Sequence, residues 1–491
     1  MAGLTTWFAK ISKFLASHSV AILALSGLAS FLIYFSMITL RAPLSQLYNR
    51  KLLDLGTLFK RDPIPALEIM AGFLILGALY AAAYWCVQQG HNRGAWLLVF
   101  GWMVLFTIPL LLVYPYGASD IFDNIVHGRI LGIYRANPFS LAAVNFKNDP
   151  FVAYSFWKNA PSAYGPLWEV MAGAAARLAG NGIVTNIFVF KLLPGLFLFG
   201  SAVLVALLLQ KSSPAKALAG VVLLAWNPLV LYETLGNGHN DIVMAFWILA
   251  AALALQHKRF TIAIAMLTIG GLVKYIPFLF IPIAGMIALS SLPGIKARIK
   301  FLIFTIIIIL VLLTAGFLPF WIGPETLSLA RRAHLFTSSI PTIIYLKLIP
   351  FIGESAAGNS VSAVAALITL GFTLWQAFQV RRNPNWISFL RASFYVIIFY
   401  LLVACPLFQV WYAIWPIVIA APLVSGAEVG LAVLFSFTAL LKAFFVRPLW
   451  FWNNPSPDRL VRETTVMLGS LGLAWLFSTI FIIKSAGRKH E

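Results

Sequence analysis

Long apolar runs, parted by short polar stretches, recur from one end of the chain to the other. A helix crosses a bilayer in about 17–25 residues, and on that measure the runs predict about fourteen helical spans. They fall at 19–40, 66–88, 95–114, 184–209, 217–235, 242–255, 260–273, 275–289, 301–320, 361–380, 386–405, 411–424, 430–446 and 465–483. One gap breaks the rhythm. The stretch 116–183 is long enough to be a loop with helices of its own. Inside it, 164–180 is short for a crossing and carries Glu169 and Arg177, so it is expected to lie at the membrane edge. Residues 41–61 set Leu44, Leu47, Tyr48, Leu52, Leu55 and Phe59 among basic residues, which predicts an amphipathic helix on the interface.

Composition agrees with the pattern. Of 491 residues, 61% are hydrophobic and 10% charged, against about 25% charged in a soluble domain. Mean hydropathy is +0.90. The fold class is therefore an all-α polytopic membrane protein. The net charge of +20 is spread over many short loops; this reads as membrane topology rather than nucleic-acid binding. Cys86 and Cys405 lie in or beside apolar runs and suggest neither a disulfide framework nor a metal site. The first run is long enough to remain as a span and lacks a clear small-residue cleavage site.

The basic residues orient the chain. With Lys10 and Lys13 in the cytoplasm, Arg93, Lys211, Lys216, Lys258, Arg259, Lys296, Arg298, Lys300, Arg381, Arg382, Lys484, Arg488 and Lys489 fall on the same side. Both termini are then cytoplasmic. The loop 116–183 faces outward, as do Gly236–Asp241, Lys274, 321–341, the 408–412 turn and 447–462. Nearly every compact basic loop agrees with this orientation; 41–61, with Arg50, Lys51 and Lys60, does not.

Two polar knots sit at the ends of apolar runs on that outer face. The first is Ser119-Asp120-Ile121-Phe122-Asp123-Asn124-Ile125-Val126-His127. On a helix, Asp120, Asp123, Asn124 and His127 share one face. Ser119 with the two acids also suits a helix N-terminus, while a carboxylate there suits a general base. The second knot is Glu233 with Gly236-Asn237-Gly238-His239-Asn240-Asp241. Asn227-Pro228 predicts a kink ahead of it, and Asn240-Asp241 suits a cap. Acids at a membrane edge point to function. Lys274, between two short runs, predicts a hairpin with Pro277 opening the return; its ammonium suits a phosphate or an interfacial anchor. Arg331, Arg332 and His334 present the bidentate phosphate-binding type or another anchor. Phe408, Gln409, Trp411, Tyr412 and Trp415 form either an aromatic belt or a platform for sugar or isoprenoid. His127, His239 and His334 show no metal-ligand spacing.

These pieces together resemble the GT-C superfamily of polytopic glycosyltransferases that use polyprenyl-phosphate sugars. They look most like the bacterial polyprenyl-phosphate-mannose-dependent mannosyltransferases. The matching motifs run in order: Ser119-Asp120-Ile121-Phe122-Asp123, His127-Gly128-Arg129, Asn137-Pro138-Phe139 and Pro161-Ser162-Ala163-Tyr164-Gly165-Pro166-Leu167-Trp168. They continue with Asn227-Pro228-Leu229-Val230-Leu231, Gly236-Asn237-Gly238-His239-Asn240-Asp241, Val273-Lys274-Tyr275-Ile276-Pro277, and Trp411-Tyr412 with Trp415. The family often has an aromatic where Asn124 stands, and Asp123 is atypical of it.

The resemblance implies a division into extra N-terminal spans and an interfacial helix (1–115), a GT-C-like core (116–415) with outer catalytic loop 116–183, and C-terminal spans (416–491). It implies a plasma-membrane enzyme with an extracytoplasmic site. A hexose, mannose by the closest likeness, would pass with inversion from a polyprenyl-phosphate donor to a glycolipid or glycan acceptor. Asp120 would be the base, with Asp123 in reserve. Lys274, Arg331 and Arg332 would hold the lipid phosphate. Glu233, His239, Asn240, Asp241, Tyr164, Trp411 and Tyr412 would bind substrate. No cofactor is required and no metal residues are assigned; a divalent cation stays open. A lipid-linked glycan ligase or polymerase is the nearer rival, distinguished by a pyrophosphate donor. A transporter is the farther one, and would show an internal repeat.

Overall fold

A computed structural model describes residues 18–88, 93–327, 335–452 and 458–487. Nine described helices are long and apolar enough to cross a membrane, and a bent pair makes a tenth candidate. The predicted runs all fall on helices, and several of these are shorter than a full crossing: Asp241–Gln256, Phe260–Gly271, Ile276–Ser291 and Val410–Leu423. Among the described residues no strand forms; there are only two isolated bridges, Pro43 to Val113 and Thr337 to Leu407. Cys86 and Cys405 are buried free thiols.

The helices that place the polar knots are these. Helix α1 (Arg93–Leu112) ends just before the first knot. Then come α2 (Asp120–Gly132) and α3 (Pro166–Ala179), both inside the long loop, and α4 (Ile183–Ser212), which returns through the apolar layer. Helix α3 has 14 residues, too few to span, and packs along α2. The crossing is close because both sides are small: a Cβ on Gly132 would overlap the Gly173 carbonyl, and one on Gly128 the Ala172 carbonyl. Glu169, unfavourable in lipid, is buried between protein elements instead.

The kink expected at Asn227-Pro228 is present. Helix α5 (Ala217–Ala225) and the turn Pro228–Leu231 belong to two arms that meet at 52°. Proline removes an amide donor and breaks the ladder. The Asn227 side chain then caps the new start, accepting from the Leu229 and Val230 amides at 3.1 and 3.2 Å. The second arm unwinds into a π-turn at Tyr232–Gly236 and delivers the second knot to the start of α6 (Asp241–Gln256). After it, α7 (Phe260–Gly271) reverses at Lys274 into a 3-10 turn, Ile276–Phe280, with Pro277 in its first turn. The chain continues in α8 (Ile281–Ser291) and α9 (Gly294–Phe317). The last helix, α10, spans Arg459–Gly487.

Two local expectations differ from the structure. Residues 41–61 are not one helix. They form single turns at Leu44–Leu47 and Leu55–Leu58, with left-handed backbone at Leu52, Lys60 and Arg61. The Asp54 carboxylate explains the restart: it accepts from the Thr57 amide and hydroxyl, both at 2.7 Å, a cap that ends whatever precedes it. Neither expected cap forms: Ser119 at the start of α2 and Asn240 at the start of α6 make no side-chain capping bond.

Candidate active site

The first knot is organised by burial and by neutral donors. Asp123 is buried; its Oδ1 accepts from the Ser155 hydroxyl and from the Trp157 amide at 3.0 Å, while Oδ2 has no partner. Burial pushes the carboxyl up to about 7, against the pull of Ser155 and with help from the Asp120 charge. Glu169 is similar: burial raises it to about 7, and Ser162 donates to it. Asn124 accepts from the Trp168 indole at 3.0 Å, which ties α2 to α3. His127 is also inside the packing, 3.3 Å from the Ala160 carbonyl. Desolvation lowers it to about 4, so it is neutral at ordinary pH. Arg129 is wholly structural. It pairs with Asp149 at 2.7 Å and donates to the Gly180 carbonyl and Asn181, clamping both ends of the long loop.

Asp120 differs from these. It is half-buried, at the open end of α2, with the Tyr164 hydroxyl 3.5 Å from its Oδ2. Tyr164 in turn is held against the Lys274 turn, because the Gly165 and Leu167 amides bond the Val273 and Leu272 carbonyls, both at 3.0 Å. The Lys274 ammonium lies 5.4 Å from the centre of the Tyr164 ring and 5.7 Å from that of Tyr412, within cation–π range.

The second knot is built on charge pairs. Lys274 Nζ meets Asp241 Oδ2 at 2.8 Å, and the Trp415 indole donates to Oδ1 at 2.6 Å. Lys274, expected at an open surface, is thus buried in an ion pair: the turn is where the sequence puts it, but Asp241 draws the ammonium inward. His239 Nδ1 lies 3.0 Å from Glu233 Oε2, which also accepts from Asn237 at 2.9 Å. Burial works hardest against a charged His239, yet Glu233, with Asp120 and Asp241 behind it, outweighs burial and raises the imidazole. The His239 ring stacks on Trp411 at 3.9 Å. Its Nε2 and the Asn240 Nδ2 are buried without a partner. Tyr412 stacks on Trp415 at 4.4 Å.

The structure therefore gathers Asp120, Tyr164, His239, Asp241, Lys274, Trp411 and Tyr412 around one place, with Glu233 and Asn240 just behind. Asp123 is close to Asp120 but faces the loop interior. Arg331, Arg332 and His334 lie outside the described residues. Among the described residues no three His, Cys, Asp or Glu side chains gather to hold a metal ion.

Within the membrane helices that position the two knots, one residue escaped the sequence reading. Lys191, inside the apolar α4, donates to the carbonyls of Leu110, Leu111 and Val113 at 3.1, 3.4 and 2.5 Å. It closes the C-terminal end of α1, where carbonyls lack helical partners, and so fixes where the first knot begins. A lone charge in an apolar run was the available signal.

Two cavities flank the cluster. A groove of about 600 Å³ beside Tyr275 is lined by Phe278, Leu313, Phe317, Trp321 and other almost wholly apolar groups. A second cavity, about 670 Å³, lies beyond Trp411 and Gly117 and is lined by a mixture of charged, polar and apolar groups.

Comparison with known proteins matches residues 25–290 to the family described as alpha-(1->6)-mannopyranosyltransferase, N-terminal domain. The chain is 25% identical over 366 residues to alpha-(1->6)-mannopyranosyltransferase A of Mycobacterium tuberculosis, covering 66% of this chain and 64% of that protein. It is 22% identical over 380 residues to alpha-(1->6)-mannopyranosyltransferase B of Corynebacterium glutamicum, covering 69% of this chain and 61% of the other. The chain thus spans less than two thirds of the length of either relative.

Proposed function

The chain belongs to the alpha-(1->6)-mannopyranosyltransferase family, and from that premise we propose that it is an integral-membrane glycosyltransferase. It moves mannose from a polyprenyl-phosphate donor to a glycolipid or glycan acceptor, at the extracytoplasmic face of the plasma membrane, with both termini in the cytoplasm. The observation that carries this reading is that one side chain, Tyr164, meets both groups: its hydroxyl lies 3.5 Å from Asp120 Oδ2 and its ring centre 5.4 Å from the Lys274 ammonium. A base and a phosphate-sized cation then border the same space.

In the proposed reaction, Asp120 takes the proton of the acceptor hydroxyl as its oxygen forms a bond to the anomeric carbon. The bond from that carbon to the phosphate oxygen breaks, and the polyprenyl phosphate leaves with the electron pair. One displacement inverts the centre. Lys274, held in place by Asp241, stabilises the leaving phosphate; Arg331 and Arg332 add to it. Glu233, His239 and Asn240 bind sugar hydroxyls, and Trp411 and Tyr412 supply aromatic faces. Asp123 is the reserve base. The apolar groove next to Tyr275 suits an isoprenoid chain whose phosphate reaches Lys274, which supports a lipid-linked donor.

The test is transfer from labelled polyprenyl-phosphate-mannose to endogenous lipids, in membranes carrying wild-type protein or Asp120→Asn at equal abundance. Loss of about 10²–10⁴-fold is the expected cost of removing a general base. Unchanged transfer in the variant would move the base to Asp123. Transfer from an oligosaccharide-pyrophosphate donor instead would replace this reading with the ligase one.

A further inference from the structure

We infer that the mixed cavity beyond Trp411 is the acceptor pocket and that it takes the uncharged, polyhydroxylated head of a glycan. This rests on the transferase reading above and specifies which substrate occupies which side of the cluster.

Position comes first. The Trp411 indole stacks on His239 and also lines the cavity, so one ring is a wall common to cluster and cavity. Gly117, another lining residue, donates its amide to Asn237 at 3.2 Å, and Asn237 holds Glu233. A ligand in the cavity is therefore one side chain away from the second knot. At about 670 Å³, the volume falls in the range of about 300–1,000 Å³ usual for small-ligand sites.

Chemistry selects the occupant. Charges of both signs line the cavity: Asp54 and Glu463 against Arg61, Lys442 and Arg462. Two of these cations already have partners. Arg462 is 3.5 Å from Glu463, and Lys442 donates to the Phe408 carbonyl. Glu463 is buried and fixed, accepting from the Thr337 hydroxyl at 2.9 Å and the Ser338 amide at 2.7 Å. An anionic head would meet this carboxylate in a partly desolvated space, which is costly. A sugar brings hydroxyls that donate to carboxylates and accept from guanidinium, and C–H faces that rest on the indoles of Trp411 and Trp452. Donor and acceptor are thus divided by chemistry, with a nearly apolar groove on the Lys274 side and a mixed polar cavity on the Trp411 side. Most of the polar wall comes from beyond residue 290, outside the segment matched to the family, so acceptor choice is set by that half of the chain and by the Asp54–Arg61 turn.

The test uses full-length purified protein and octyl α-D-mannoside as the probe. Binding is followed by equilibrium dialysis without donor, and KM is measured for probe and donor separately. The variants are Trp452→Ala and, at the exposed mouth, Arg61→Gln, with Glu463→Gln as a third; Arg61→Gln changes a surface side chain and keeps the test valid if a buried variant does not fold. The expected result is saturable binding weakened at least tenfold by Trp452→Ala and severalfold by Arg61→Gln, with acceptor KM rising in step and donor KM within twofold. A rise in donor KM with acceptor KM unmoved would overturn the assignment, as would absence of saturable binding to wild type. If wild type binds the probe saturably and the variants do not, yet no transfer occurs, the pocket stands and the transferase reading falls.

Discussion

The two polar knots contain the same kinds of acid but treat them in opposite ways. In the first, Asp123 and Glu169 are buried against hydroxyl and amide donors, and burial lifts both to about 7. In the second, Asp241 is held by an ammonium and an indole, and Glu233 by an imidazole and an amide. Neutral partners leave an acid able to hold a proton near neutral pH. Cationic partners turn an acid into a fixed counter-charge that aims the cation. The difference divides the proposed labour: proton handling belongs to the α2 side, phosphate handling to the Lys274 side, and half-buried Asp120 faces the seam.

The comparison breaks most visibly if the cation is removed. Lys274→Ala leaves Asp241 buried with only an indole, and loss of one partner from a buried pair costs about 3–5 kcal/mol. Thermal unfolding in detergent should show it, and adding Asp241→Asn should restore part of the loss. Equal stability of wild type and Lys274→Ala would mean the pair is not a fixed counter-charge.

The next effect is a pH dependence, with its sign set by the raised acid. Asp123 binds its proton more tightly in the folded chain than in the unfolded one. Its contribution to stability is present in full below about 4, the unfolded value, and is lost as pH rises toward about 7. Glu169 acts in the same sense, and His127, lowered to about 4, acts in the opposite one below its ordinary value near 6.5. The measurement is therefore a difference. Relative to Asp123→Asn, wild type should lose stability between pH 4 and pH 7 and change little above pH 8. A flat difference would place Asp123 with the charge-paired acids of the second knot.

A smaller effect sharpens the contrast within the second knot. Trp415→Phe keeps the ring but removes the donor to Asp241, and should cost about 1–3 kcal/mol, the worth of a hydrogen bond to a charged group or less. It should lower transfer less than Asp120→Asn does.

Much of this arrangement was legible in local pattern. Apolar run length gave the helices, Asn227-Pro228 the bend, Lys274 with Pro277 the reversal, and the short, charged 164–180 its place off the list of spans. Those features depend on neighbours in sequence. What was hidden depends on partners far away. Nothing in a run of hydropathy says that Lys274 will close on Asp241, or that Lys191 will reach the end of a helix 78 residues earlier. The break of 41–61 turned on one carboxylate, Asp54, outcompeting an amphipathic period. Glu463 and Trp452 carried no motif, and the cavity they line exists only once the last helix and the Asp54–Arg61 turn both border it.

Lys191 also bears on how the protein is made. Its ammonium enters the bilayer with an otherwise apolar helix, at a cost of about 2.5–3.5 kcal/mol if it stays unpartnered at mid-depth. The carbonyls that receive it belong to Arg93–Leu112, which leaves the ribosome first. By the time the lysine is threaded, its acceptors are already in the membrane, so chain order makes the charge tolerable during biogenesis. A permuted gene that delivered Ile183–Ser212 ahead of Arg93–Leu112 would stall at that step, although every contact in the finished molecule is the same.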